Sequence, residues 1–235
     1  MVRTPWRQPP LTREQENNFF MLLLDDDTED APWMTMGDLQ FWSTSGFAHS
    51  LRNHARARGL GWYVASMLPI TYDWPEASRR HQLSPDAFVA FVPEHARTSF
   101  NMEAEGGFPP FVLEVVSPSS VVRDEREKRL AYDMLGAKEY AIFTPRDGDV
   151  STLAGYRRDA ATGAFVPWQP DTQGRLWSDT LGLFLTVRGT LLQAETLEGR
   201  LLLTPEQADD ARRQVEAENE QLRRELARYE QRDNG

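Results

Sequence analysis

The order of apolar segments in this amino-acid sequence predicts a mixed α/β fold, with a central sheet flanked by helices. Three observations support this. A helical pattern is followed by three short apolar segments, then by an amphipathic helix and a fourth apolar segment. Residues 150–194 change to short alternating runs separated by Gly, Asp and Pro, which is typical of β-hairpins. A charged helical pattern begins at Thr204, so a C-terminal helix should follow the hairpins.

The first helical and strand segments are predicted from spacing and from Gly and Pro. Residues 37–58 carry apolar side chains at helical spacing and predict one or two helices that end at Gly59 and Gly61. WYVASMLPITY, residues 62–72, predicts a strand. After a charged turn, Pro85 favours an extended backbone, and residues 87–92 predict a short buried strand. FVLEVVS, residues 111–117, predicts the third strand.

The second half of the sheet follows from one helix and one strand. Residues 123–135 predict a helix that ends at Gly136 and turns four side chains toward the core, namely Leu130, Ala131, Met134 and Leu135. EYAIFT, residues 139–144, predicts the fourth strand. The predicted organisation is an N-terminal extension over residues 1–31, a domain over 32–203 and a C-terminal helix over 204–235.

Composition limits the class of protein. The chain has 235 residues, 40% of them hydrophobic, and no cysteine, which excludes disulfides and Cys-ligated metal sites. Its longest apolar run, FFMLLL at 19–24, is too short to span a bilayer, and we see no secretory signal. We therefore expect a cytoplasmic protein without membrane association. The net charge of −10 would repel nucleic acid, so any nucleic-acid binding must come from a local basic surface.

The C-terminal helix carries a short heptad pattern. Val215, Leu222 and Tyr229 are seven residues apart, and Asn219 and Leu226 complete an a/d pattern with Asn at an a position. Two interpretations remain open. Residues 204–235 could form a homodimer through a short parallel coiled coil, or they could form a single solvated helix.

Two carboxylates in strand segments are the main candidates for chemistry. The sequence contains no Walker-type loop, GxGxxG, GxSxG or HExxH motif. Asp86 opens one predicted strand, and Glu114 lies in the middle of another, where an unpaired charge is costly. If these strands are neighbours, the two carboxylates can meet. Mg²⁺ is typically held by one or two such carboxylates, with waters and substrate phosphates.

A lysine on the following helix could complete this set. Asp124, Lys128 and Tyr132 recur at four-residue spacing and so share one helix face, from which Lys128 could reach the carboxylates. Each residue also has a purely structural interpretation. Asp86 could cap a turn, Glu114 could pair with an arginine, and Lys128 could be a solvated surface charge.

Three segments together resemble a known family. SPDAFVAFV, FVLEVVSPSS and RDEREKRLAYDMLGAKEYAIFTP are similar to the Uma family of restriction endonucleases, within the PD-(D/E)XK nuclease superfamily. The resemblance implies a restriction-endonuclease-like fold and hydrolysis of DNA phosphodiesters with Mg²⁺ or Mn²⁺. It assigns the PD motif to Pro85 and Asp86 and the acidic residue to Glu114.

The resemblance also implies further roles. Val116 stands where the superfamily keeps its lysine, and Lys128 matches the lysine displaced to the next helix. The main-chain carbonyl of Val115 would complete the metal shell, and a first-helix glutamate has no clear counterpart. Five arginines are candidates for DNA contacts, namely Arg79, Arg80, Arg123, Arg126 and Arg129. The alternative is a non-catalytic protein with this fold that dimerises or binds a partner through its C-terminal helix.

Overall fold

The structure is a computed structural model, and it describes residues 37–73, 81–116 and 128–233. The helices in this part of the chain are α1 (Asp38–Arg58), α2 (Arg129–Leu135) and α3 (Pro205–Asp233). The strands are β1 (Tyr63–Ser66), β2 (Ile70–Tyr72), β3 (His81–Leu83), β4 (Ala87–Ala90), β5 (Phe100–Asn101), β6 (Phe111–Val115), β7 (Glu139–Thr144), β8 (Thr152–Arg158), β9 (Phe165–Pro167), β10 (Leu176–Ser178), β11 (Leu183–Arg188) and β12 (Leu191–Glu195).

A six-stranded mixed sheet forms the centre of the domain, which confirms the predicted fold class. Its order is β1-β4-β6-β7-β8-β9, with β6 and β7 parallel and the other neighbours antiparallel. Every residue of β6 and β7 is buried. These two strands read as nearly continuous apolar runs because both faces of the sheet are covered.

The two faces of the sheet support separate apolar cores. One core includes Val112 and Val116 of the β6 segment and the buried side chains of α2. The other includes Phe111, Leu113 and Val115, which pack with α1 and the strands of the C-terminal hairpins. Because side chains alternate along a strand, Glu114 faces the α2 side with Val112.

The segment 62–72, predicted as one strand, forms two. β1 ends at Ser66 and β2 begins at Ile70, so the prediction of a single strand was wrong. Met67 between them has φ 51°, in the left-handed region that side chains other than glycine rarely adopt. β2 leaves the central sheet and pairs with β3 and β5 in a separate three-stranded sheet.

The C-terminal hairpins partly extend the central sheet and partly cover it. β8 and β9 continue the sheet, whereas β10, β11 and β12 form a separate antiparallel sheet. Helix α3 follows, and several of its apolar residues are exposed. No helix in the described residues is long and apolar enough to cross a membrane.

Candidate metal and phosphodiester site

Neighbouring antiparallel strands bring the two predicted carboxylates together. β4 pairs with β6 so that Ala87 lies opposite Leu113. Asp86 directly precedes Ala87 and Glu114 directly follows Leu113, so the two residues lie next to each other where β4 begins. Alternation along the strands directs both side chains toward the face covered by α2. The condition for a shared site, that the strands be neighbours, is met.

Asp86 is fixed by main-chain groups on both sides. Its Oδ2 accepts a hydrogen bond from the Val115 N–H at 2.6 Å, and its own carbonyl accepts one from the Met67 N–H at 2.9 Å. The residue is partly exposed, whereas Pro85 before it is buried. The carboxylate is therefore held against the end of β6 at a point that solvent reaches.

Glu114 is buried and contacts two side chains from the α2 segment. Its side chain is 2% exposed, and the Tyr132 hydroxyl donates to Oε1 at 2.5 Å. The Lys128 Nζ, directly before α2, lies 3.0 Å from Oε2. The ammonium compensates the buried charge, since an unpaired carboxylate at this depth would cost several kcal/mol, about 3 to 5 in comparable buried pairs.

The Tyr132 phenol acts as a neutral hydrogen-bond donor. It is fully buried between Phe108 and Tyr140, with ring centroids 5.8 and 4.9 Å away. Burial raises the pKa of Tyr132 well above its usual value, and the negative charge of Glu114 raises the pKa further. The hydroxyl thus keeps its proton and orients the Glu114 carboxylate.

Helical spacing explains why both side chains reach one carboxylate. Lys128 and Tyr132 are four residues apart and so lie one above the other on the same helix face. Lys128 is 29% exposed and paired with a buried acid, so it is not a solvated surface charge. The chain holds only two lysines among its 26 basic residues, and the other, Lys138, is exposed.

Gln40 is a site residue that the sequence did not reveal. It lies in the first turn of α1, and its Nε2 donates to the Val115 carbonyl at 3.1 Å. Its Oε1 accepts the Gly37 N–H at 3.2 Å, which holds the amide in this orientation. The carbonyl expected to act as a metal ligand therefore accepts a side-chain hydrogen bond, and a carbonyl oxygen has a second lone pair for an ion.

The predicted DNA-contacting arginines lie mostly outside the described part of the chain. Arg129 is exposed beside Lys128, with its guanidinium 5.0 Å from the centroid of the Tyr156 ring. The other predicted residues lie outside the described residues, namely Arg79, Arg80, Arg123, Arg126 and the supporting Asp124.

A basic groove lies next to the carboxylates and was missed in the sequence. An open cavity of about 420 Å³ between α1 and β1 is lined by His49, Arg52, Arg56, Glu94 and His95, among others. The Arg56 Nη2 lies 2.6 Å from Glu94 Oε1, so the excess positive charge comes from Arg52. It extends to Ser66, which pairs with the residue directly after Asp86. With two arginines and one glutamate, the groove carries a small excess of positive charge on a chain of net charge −10.

The chain matches a family model and solved structures of other proteins. The family model described as "Uma2: Putative restriction endonuclease" matches residues 32–191. A structure described as "a putative nuclease belonging to DUF820" from Anabaena variabilis has a TM-score of 0.41 and 16% identity. That match covers 57% of this chain and 70% of the other, a likeness too low to assign any detail. No curated protein matches the chain.

Proposed function

Since the chain belongs to the Uma2 family, we propose that it is a divalent-metal-dependent endonuclease that hydrolyses phosphodiester bonds in DNA. The observation that carries this proposal is the convergence of Asp86, Glu114 and Lys128 on one face of the central sheet. A carboxylate pair can hold a divalent ion, and an adjacent lysine can stabilise negative charge that develops on a phosphate.

The residues fit a hard cation such as Mg²⁺ or Mn²⁺. Asp86 and Glu114 would hold it, with the Val115 carbonyl as a third oxygen ligand. In the described residues, no group of three or more acidic or histidine side chains could hold a metal. Two carboxylates and one carbonyl suit Mg²⁺, which keeps several waters and binds substrate phosphate directly. The bound ion would supply Lewis-acid stabilisation of charge at the scissile phosphate.

The side chains from the α2 segment would orient the reacting groups. The Tyr132 hydroxyl and the Lys128 ammonium each engage one oxygen of Glu114, so the carboxylate cannot rotate freely. Lys128 is partly exposed, so its ammonium can also orient an attacking water or stabilise negative charge on the phosphate. We assign Lys128 the catalytic role and Tyr132 a positioning role.

DNA binding would depend on local positive charge. The basic groove between α1 and β1 and the exposed Arg129 could contact phosphates on the two sides of the carboxylates. Such contacts give affinity without sequence choice. Because these contacts would be made to phosphates, we expect the affinity to fall as the salt concentration rises.

The alternative is a non-catalytic protein that acts through α3. The exposed apolar residues of that helix and the net charge of −10 favour it. A binding protein, however, has no evident need for the buried Glu114 with a lysine and a tyrosine directed at it. Cleavage that depends on Glu114 decides between the two functions.

The test is nicking of supercoiled plasmid by wild type, Glu114→Gln and Lys128→Ala in Mg²⁺ or Mn²⁺. We expect both variants to lose about 100-fold or more in rate, since Lewis-acid and charge stabilisation each contribute several kcal/mol. Glu139→Gln is the matched control, because Glu139 is a buried glutamate at the opposite end of the neighbouring strand. Equal rates in wild type and the two site variants would refute the mechanism and favour the binding function.

A further inference from the structure

Helix α3 presents an apolar face that the rest of the described chain does not cover. Five residues form this seam, which we define as Val215, Asn219, Leu222, Leu226 and Tyr229. The four apolar members are 55% to 66% exposed. A seam of this kind, flanked by charged residues, is typical of a helix with a partner.

The helix is attached to the domain near its start. Gln207 Oε1 accepts hydrogen bonds from Gln193 Nε2 at 2.7 Å and from the Thr204 N–H at 3.0 Å. The helix then continues to Asp233, so its 29 residues are about 43 Å long. From Arg212 onward every described side chain of the helix is exposed. Most helical stability in proteins comes from packing of an amphipathic face, so the uncovered seam indicates a partner.

The seam fits a second copy of the same helix. Val215, Leu222 and Tyr229 occupy d positions, and Asn219 and Leu226 occupy a positions of a heptad repeat. Paired seams from two copies would bury the same residues on both sides. We propose that two copies of the chain form a parallel, in-register coiled coil through this seam.

Asn219 determines the orientation. In a parallel pair the two Asn219 side chains face each other, and each amide can donate to the other's carbonyl oxygen. In the antiparallel alignment that brings Val215 opposite Leu226, each Asn219 faces Leu222 instead. An unpaired amide in an apolar seam is unfavourable, so the parallel pair is preferred.

Charges beside the seam agree with this orientation. Glu218 occupies a g position and Arg223 the e position five residues later, so Glu218 of one copy faces Arg223 of the other. One heptad on, Glu225 faces a glutamate, which opposes association. Because the seam has about two heptads and mixed flanking charge, the dimer should dissociate on dilution. In a parallel coil the domains of the two copies lie at the same end.

The absence of cysteine allows a direct test of the register. In the parallel coil, Leu222→Cys brings two thiols within reach of a disulfide in the full-length chain. Ala217→Cys is the matched control, because residue 217 is exposed and lies on the outer face of the coil. We expect Leu222→Cys to form the covalent dimer at least about ten-fold faster, owing to its higher effective concentration.

A mixture of two differently tagged variants tests the opposite orientation. Val215→Cys and Leu226→Cys lie side by side in an antiparallel pair, but are about 16 Å apart along a parallel one. Rapid disulfide formation between these two variants would overturn the parallel assignment. Equal rates for Leu222→Cys and Ala217→Cys would overturn the seam itself.

Sedimentation of the unmodified protein measures the association. Leu222→Glu should raise the dimer dissociation constant about 100-fold or more, because a buried leucine is lost from each copy. Gln221→Glu also adds one negative charge, outside the seam, and should have a much smaller effect. A wild type that stays monomeric would overturn the dimer. If the thiol of Leu222→Cys is then also protected from thiol reagents, another segment of the same chain covers the seam. These measurements do not involve cleavage, so their failure is separate from that of the proposed function.

Discussion

Removing the Lys128 ammonium is the perturbation whose consequence the structure defines best. Lys128→Met keeps most of the aliphatic stem and deletes the charge 3.0 Å from a carboxylate that is 2% exposed. Breaking a fully buried pair costs about 3 to 5 kcal/mol, because the remaining charge is left without compensation. Lys128 itself is 29% exposed, so water partly replaces it, and we expect a loss of about 2 to 3 kcal/mol.

The assay is urea unfolding in EDTA, followed by the fluorescence of the seven tryptophans. Glu114→Gln in the Lys128→Met background removes the uncompensated charge and should recover most of the lost free energy of unfolding. Lys138→Met is the control, since it removes the only other lysine at an exposed position.

Adding Mg²⁺ extends the same experiment to the proposed metal. A divalent cation at Glu114 would replace the missing positive charge, so Mg²⁺ should stabilise Lys128→Met more than wild type. At a concentration ten times its dissociation constant, the ion adds about 1.4 kcal/mol. Two results would refute the reasoning: a single variant within about 0.5 kcal/mol of wild type, or a double variant as unstable as the single one.

Three further predictions concern stability. Tyr132→Phe removes the donor to the buried carboxylate and should cost about 1.5 to 3 kcal/mol in urea unfolding; Tyr156→Phe, at a partly exposed site, should cost much less. Glu139 is buried, and burial raises the pKa of its carboxyl above the usual 4.5. The protonated carboxyl therefore contributes to the stability of the fold below about pH 4.5, and this contribution is lost as the pH rises through the raised pKa. Thermal unfolding from about pH 4 to 7 should therefore show Glu139→Gln gaining relative to wild type, and a pH-independent difference would contradict this. A Cβ at Gly155 would lie 2.5 Å from a carbonyl oxygen of the neighbouring strand, so Gly155→Ala should destabilise by about 1 to 3 kcal/mol, whereas Gly61→Ala, with no atom within 4 Å, should be nearly neutral.

The central sheet could be predicted because its two middle strands are buried on both faces. β6 and β7 lie within the predicted apolar runs, and Gly136 ends α2 with φ 98°, as its position indicated. The meeting of Asp86 and Glu114 followed from one further condition, that their strands be neighbours. Strand alternation then placed both on one face.

The remaining features depend on contacts that local patterns do not carry. β5 has two residues and β3 has three, too few for a periodic signal. The break at Met67 is stabilised in part by a hydrogen bond to the Asp86 carbonyl, 19 residues away in sequence. Gln40 reaches a carbonyl 75 residues away, and nothing in its own helix distinguishes it from an ordinary capping glutamine.

The most direct test of the proposed metal site is a change of metal preference in Asp86→Cys. The chain has no cysteine, so this variant places a single soft ligand at the proposed ion. We predict that it loses about 100-fold or more of the Mg²⁺-dependent nicking rate, and that the soft ion Cd²⁺ restores the rate at least about ten-fold relative to wild type in the same ion. Wild-type activity of the variant in Mg²⁺, or the same ratio of rates between ions in both proteins, would contradict a metal held by Asp86.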